Sequence, residues 1–360
     1  MTGAVVLQVC RGREWRGGER QVRLLVETLA ARSGFLQHVA TSRDGPLARL
    51  LDPAGPQVLP LTWDLALDPR ALAELCLRLR RLRAEHGRGI LLHAHDSHAL
   101  ALAAVAARLF RLPLVATRRS LTPPGPLWRL PHRVIAISAA VEEVLRARGL
   151  DAARIVRIPS AVSLIDMARV PFEGFRLDEE RGAPAILSVG ALTIEKGHLT
   201  LIEALPLVRR QLPGTRLVLI GDGPERPRLE TLARRLRMGE GIHFLGELPS
   251  ASAYIRAAQV LAQPSRREAL GTAVLEAMAL GTPVVASATG GLVELLGEGA
   301  GILVRPGDPF ALAAGLVRVL TDGPLRASLV HQARARVAEY DAPGVADRVA
   351  EVYRSALRTT

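Results

Sequence analysis

Residues 265–285 read SRREALGTAVLEAMALGTPVV. An apolar helix opens at Gly271-Thr272 and closes near Gly281, and a Pro-started β-branched run follows. QVLAQPS, just before it, is a strand that ends near Ser265. Strand, helix and strand within so few residues make a right-handed crossover in a parallel sheet. Working outward, AILSVGAL, TRLVLIGDG, IHFLGEL, QVLAQPS, TPVVAS and GILVRPG recur as strands, with helices such as HLTLIEALPLVRRQLPG between them. The first half repeats the pattern with AVVLQVC, HVATSR, GILLHAH, LPLVATR, RVIAIS and ARIVRIP. Near-continuous apolar strands alternating with helices predict sheets covered on both faces. The expected fold class is α/β, with two domains of similar size. Residues 1–168 form the first, 169–183 a Pro- and charge-rich linker, 184–338 the second, and 339–360 a last helix that either closes the second or crosses back to the first. Open parallel sheets bind ligands beyond the carboxyl ends of their strands, so the expected site is a central cleft across which the domains face each other.

Composition narrows the class. Of 360 residues, 49% are hydrophobic but only 3% aromatic, so Leu, Val and Ala fill the core. No run is long and apolar enough to span a bilayer. The first ten residues read as a strand and not as a signal peptide. Cys10 and Cys76 make no disulfide framework, which suits a cytoplasmic setting. A net charge of +12 raises nucleic acid as a partner, but the arginines are scattered over helices and few aromatics are present to stack on bases. No nucleic-acid partner is expected. The charge leaves open a peripheral contact with an anionic membrane at its inner face. Among 47 basic side chains a single lysine occurs, Lys196, in TIEKG.

The chemistry-bearing residues fall at predicted strand ends. Glu268 precedes the Gly271-Thr272 helix start and Glu276 lies one turn inside it. Unpaired N–H groups at that start suit a diphosphate, and glycine at 271 permits close approach. Carboxylates flanking it suit hydroxyls: Glu276 those of a ribose, Glu268 those of a sugar. Taken singly, Glu268 is equally a surface charge and Glu276 a first-turn partner of the helix dipole. Gly190 follows a strand, and Lys196 beyond it is a cation for phosphate. Gly223 closes the turn of VLIGDGPER. In the first half, Gly17 and Gly18 precede a helix whose first turn holds Glu19, a cap or an acceptor contact. HAHDSH offers His93, His95, Asp96 and His98. A metal site is one reading, but the chain offers few further ligands. A single histidine donating a hydrogen bond fits better, and His95 is nearest the tip. Arg118 and Arg119 end another strand and suit an anionic acceptor, or are simply surface arginines.

These residues resemble family 4 of the retaining, nucleotide-sugar-dependent glycosyltransferases, over nearly the whole chain. The acid pair Glu268 and Glu276 in REALGTAVLEAMALGTPVVAS, the TIEKG lysine loop, GDGPER, FLGEL, RGGER and HAHD follow in the family's order. The resemblance implies the GT-B fold of two Rossmann-like domains facing each other, a last helix that crosses back to the first, a donor held chiefly by the second domain, and retention at the anomeric carbon. It assigns catalytic roles to His95, Lys196 and Glu268. Donor contacts fall to Gly18, Gly190, Lys196, Gly223, Glu268, Leu270, Gly271, Thr272 and Glu276, while the reading of the residues themselves puts Gly17, Glu19, Arg118 and Arg119 on the acceptor side. No metal or other cofactor is expected. The substrates are a UDP- or GDP-sugar and a lipid or saccharide hydroxyl of the cell envelope. Departures are Ala191 in place of an arginine that relatives use on the diphosphate, and Leu270 where a phenylalanine is common. The rival readings are a nucleotide-sugar epimerase of similar fold and a non-catalytic nucleotide-sugar-binding protein.

Overall fold

The computed structural model describes residues 4–32, 34–51, 55–87, 89–171 and 184–358. Most of the expected linker, residues 172–183, lies outside the described residues. The chain divides into two compact units, 1–161 with 341–360, and 162–340.

The first unit holds seven strands: β1 (Val5–Val9), β2 (Leu36–Ser42), β3 (Gln57–Leu61), β4 (Ile90–Ala94), β5 (Leu114–Arg118), β6 (Arg133–Ala136) and β7 (Ile155–Arg157). Their order is β3-β2-β1-β4-β5-β6-β7, and all pairings are parallel. β1 is flanked by β2 and β4, with Val5 opposite both Leu36 and Ile90. The strand order therefore reverses between β1 and β4, which places a ligand crevice at their carboxyl ends. Every residue of β1, β4 and β5 is buried, as expected of strands covered on both faces. β3, QVLPL, escapes the sequence patterns because Pro60 argues against a strand; it is tolerated here because β3 is an edge.

Helix Ala342–Arg358 belongs to this unit and lies against helix Gly17–Arg32. Val345, Ala346, Val349, Ala350, Tyr353 and Ala356 recur at helical spacing and form its buried stripe. Tyr353 is fully buried and meets the Phe35 ring edge-on.

The second unit holds β8 (Ala185–Val189), β9 (Arg216–Ile220), β10 (Ile242–Phe244), β11 (Val260–Gln263), β12 (Val284–Ser287) and β13 (Ile302–Val304), in the order β10-β9-β8-β11-β12-β13. All pairings are again parallel. The order reverses between β8 and β11, the strands that lead to Gly190 and to Ser265. All six strands were readable from their β-branched and leucine-rich runs.

Candidate functional site

In the second unit, two loops are closed onto each other at the carboxyl ends of β8 and β11. The loop after β8 ends in a 3-10 turn, Ile194–Lys196. Gly197 follows with φ +69°, and its Cα lies so close to the Pro264 carbonyl that no side chain fits. The amides of Arg266 and Arg267 both donate to the Glu195 carbonyl, at 2.7 and 3.2 Å. This lacing brings Lys196 Nζ to 2.7 Å from Glu268 Oε2. Glu268 is buried, and the same oxygen accepts from Ser265 Oγ at 3.0 Å and Gln263 Nε2 at 3.3 Å. The cation and the acid that the sequence assigns to separate roles are thus one ion pair. An ammonium has three hydrogens, so two remain for another acceptor.

The helix beside them runs Thr272–Leu280, as its Gly-Thr opening predicts. Gly271 caps it at φ +108°, where a Cβ would come within 2.8 Å of Leu292. The Gly271 carbonyl takes the Val274 and Leu275 amides. Among the described residues the amides of Thr272 and Ala273 have no acceptor, so the helix start is an open anion-accepting end. Glu276, one turn in and partly exposed, accepts from Ser252 Oγ at 3.3 Å. Leu270 is different: it is 1% exposed, and its backbone lies against Gly291, where a Cβ would come within 2.5 Å of its Cα. Its side chain is buried under the loop, which leaves only its backbone to meet a donor. Gly190 and Gly223 serve backbone approach. Gly190 N–H donates to the Ile220 carbonyl at 2.9 Å, and a Cβ at 223 would sit 2.5 Å from the Leu192 carbonyl.

His198 opens the helix that follows Lys196 and escaped the sequence reading. It is buried, and neither ring nitrogen has a partner. Burial, with Lys196 adding repulsion, brings its pKa down to about 4. It is therefore a neutral ring beneath the ammonium at physiological pH. The signal that could have found it is a histidine directly after the lysine loop's glycine.

In the first unit, His95 follows β4 and joins a buried network. His95 Nε2 lies 2.7 Å from Gln8 Oε1, and Arg119 Nη1 lies 3.3 Å from His95 Nδ1. Gln8 Nε2 donates to Gln37 Oε1 and to the Tyr353 hydroxyl. That hydroxyl stands 2.6 Å from His93 Nδ1, and His93 Nε2 stands 2.7 Å from Thr117 Oγ1. The donors and acceptors close with both rings neutral and each carrying its proton on Nε2. Electrostatics agrees. Burial holds both histidines well below their ordinary pKa, His93 and Arg119 adding to the effect on His95 and Arg119 to that on His93. Both ring nitrogens of His95 are thus engaged. Tyr353, Gln8 and Thr117 were missed because they come from distant segments that only the fold brings together.

Arg118 and Arg119 diverge, as alternation along a strand requires. Arg118 is buried; its guanidinium donates to the carbonyls of Ser120 and Thr122 and stacks 4.8 Å over Trp128. It staples its own loop. Arg119 keeps donors in hand: Nη1 is shared between Nδ1 and the carbonyl of His95, and its buried Nε has no partner. Gly17 begins the helix after β1, and a Cβ at Gly18 would meet nothing, so the protein leaves that space open. Glu19 acts as a cap, accepting the Arg16 amide at 3.2 Å, and burial raises its carboxyl pKa. His98, expected on a helix face, has its side chain half exposed. Among the described residues no cluster of histidine, cysteine or carboxylate could hold a metal ion.

Two parallel sheets, each with polar residues gathered at its switch point, make the GT-B architecture. The family model for glycosyl transferases group 1 matches residues 172–336, and that for glycosyltransferase family 4 matches residues 15–165. The chain is 33% identical over 322 residues to a glycogen synthase of Mycobacterium tuberculosis, covering 83% of this chain and 76% of that protein. It is 32% identical over 285 residues to a phosphatidyl-myo-inositol mannosyltransferase of Mycolicibacterium smegmatis, covering 73% and 70%. Its fold matches HepE of Anabaena, solved with UDP and glucose, with a TM-score of 0.82 at 23% identity over 98% of this chain and all of that one. It also matches a glycosyltransferase of Rickettsia africae, with a TM-score of 0.83 at 18% identity over the whole of both chains. The chain belongs to family 4 of the retaining, nucleotide-sugar-dependent glycosyltransferases.

Proposed function

We propose that the donor is a UDP- or GDP-sugar held on the second unit, with its diphosphate against the free amides of Thr272 and Ala273. Lys196 turns its two remaining hydrogens to the same phosphate oxygens. Charge grows there as the glycosidic bond to phosphate breaks, so fixed donors lower the barrier. Glu276 takes the ribose hydroxyls and Glu268 those of the sugar. Gly190 and Gly223 let the backbone come close to the nucleotide. No metal is needed where an ammonium and a helix start already meet the charge. With Ala191 in place of an arginine, more of that work falls on Lys196. The leaving phosphate takes the acceptor proton.

On the first unit, His95 and Arg119, with the open space at Gly18, serve the acceptor. The positive charge of Arg119 favours an acceptor with an anionic group, such as a lipid or saccharide phosphate. Such an acceptor fits an enzyme of cell-envelope glycolipid or polysaccharide synthesis, held peripherally at the cytoplasmic face of a membrane.

The observation that carries this reading is the Lys196–Glu268 pair beside an open helix start. Glu276→Ala tests it. Titration calorimetry with UDP and GDP should show at least a tenfold loss of affinity, about 1.4 kcal/mol, with the melting temperature unchanged. Unaltered affinity for both nucleotides would remove Glu276 from the ribose. A changed nucleotide sugar released without acceptor would favour the epimerase, and binding without turnover across an acceptor screen the non-catalytic reading.

A further inference from the structure

Between Asp96 and Glu142 the chain contains no acidic residue. Much of this stretch forms the edge of the first sheet at which β5 and β6 begin. Helix Ser97–Phe110 ends there, and Arg83 donates to its Phe110 carbonyl at 3.1 Å. The His132 amide donates to the Leu114 carbonyl, and Arg154 to the Arg129 carbonyl at 2.8 Å. Arg129 in turn donates to the Arg148 carbonyl at 2.8 Å. These bonds gather Phe110, Arg129, His132, Arg148 and Arg154 on one face. Arg108, Arg111, Arg129 and Arg148 are exposed, and none forms an ion pair among the described residues. Elsewhere arginines do find acids: Arg146, one turn before this edge, pairs with Glu142 at 2.7 Å.

The same face carries large apolar side chains. Leu109 is 65% exposed, Leu127 42% and Leu130 55%. The 3-10 turn Pro126–Arg129 lies against helix Ser97–Phe110. Trp128 within it is buried under Arg118, which fixes the turn and leaves the flanking leucines facing out. A shallow groove beside them is lined by Pro124, Pro126, Trp128, Arg129, Leu145 and Arg148.

We infer that this edge is the surface by which the protein docks on an anionic lipid bilayer. Leucines that insert to the depth of the headgroups, ringed by unpaired arginines, match both layers of such an interface. A second copy fits poorly, because a twofold contact would set arginines against arginines. Nucleic acid fits poorly too, because the face offers leucines for stacking and its tryptophan is buried. His95 follows β4, whereas Phe110, His132 and Arg154 precede β5, β6 and β7.

This inference names the surface for the peripheral contact proposed above and is independent of the sugar chemistry, since donor binding is read separately. The test is co-sedimentation of the full chain with phosphatidylcholine vesicles, with and without phosphatidylglycerol. The wild type should sediment only with the anionic vesicles and be released by salt. Arg108→Gln with Arg111→Gln should weaken partitioning about fivefold per arginine. Leu127→Gln with Leu130→Gln should weaken it even at low salt. Arg234→Gln with Arg235→Gln, an exposed pair in the other unit, should leave it unchanged. Melting curves check that each variant folds. A wild type that stays in solution with both vesicles overturns the inference, as does equal weakening by the control pair. Self-association that depends on Leu127 and Leu130, with no vesicle binding, assigns the face to a second copy instead.

Discussion

Removing the ammonium at 196 strands the acid at 268, and the two losses can be measured separately. In Lys196→Met, Glu268 keeps Ser265 and Gln263 as neutral donors but loses its one cationic partner among the described residues. The side chains of the pair are 27% and 8% exposed. An exposed pair contributes about 0–1 kcal/mol, and stranding one member of a fully buried pair costs about 3–5 kcal/mol. Partial access of solvent to the lysine places this case near about 2 kcal/mol, or about 4–8 °C in the melting temperature of a unit of this size. Lys196→Met with Glu268→Gln removes the stranded charge and should recover much of that loss. A thermal double-mutant cycle over the four proteins should give a coupling of about 1–2 kcal/mol, reduced at high salt. Catalysis should behave differently. Transfer under saturating donor should fall about 10²–10³-fold in Lys196→Met, as for the loss of one donor to a developing anion, and the second substitution should not restore it. Additive stabilities would show that the pair carries no energy. A normal kcat in Lys196→Met would refute the role in leaving-group stabilisation.

Two further substitutions probe the surroundings. Gly271→Ala meets both a left-handed backbone and Leu292, so about 1–3 kcal/mol of stability should be lost, and donor affinity with it because the helix start shifts; a variant with wild-type melting and binding would show that the start is not the anion site. His198→Leu should flatten the acid limb of the stability curve. The unfolded chain protonates this histidine near its ordinary pKa of about 6.5, while the folded chain refuses the proton until about 4. Its contribution is complete above the first value and is lost as pH falls toward the second, by about 2 kcal/mol at pH 5. Equal slopes for wild type and variant between those values would show that His198 is protonated in the fold.

Both sheets were legible because buried parallel strands write themselves as Val, Ile and Leu runs, and Gly271-Thr272 marked its helix start correctly. The failures are also physical. Pro60 hid an edge strand, since a missing amide matters only where a neighbour needs it. The pairing of Lys196 with Glu268 spans 72 positions and depends on the closeness that Gly197 permits to Pro264, which no local pattern encodes. Arg118 and Arg119 look alike as letters, and only the alternation of a strand separates a loop staple from a free donor. Tyr353 entered the histidine network from the last helix. Long-range hydrogen bonds are a property of topology, and periodicity reports only the segment.

The partly exposed amine of Lys196 is the only side-chain amine in the sequence. Acylating reagents, which modify surfaces indiscriminately in most proteins, find here one side-chain target, and it is paired with Glu268 beside the proposed donor site. With the α-amine blocked, an ester-activated fluorophore would thus report on one side chain, reacting slowly while the amine is clasped by Glu268 and more slowly still if a nucleotide covers it.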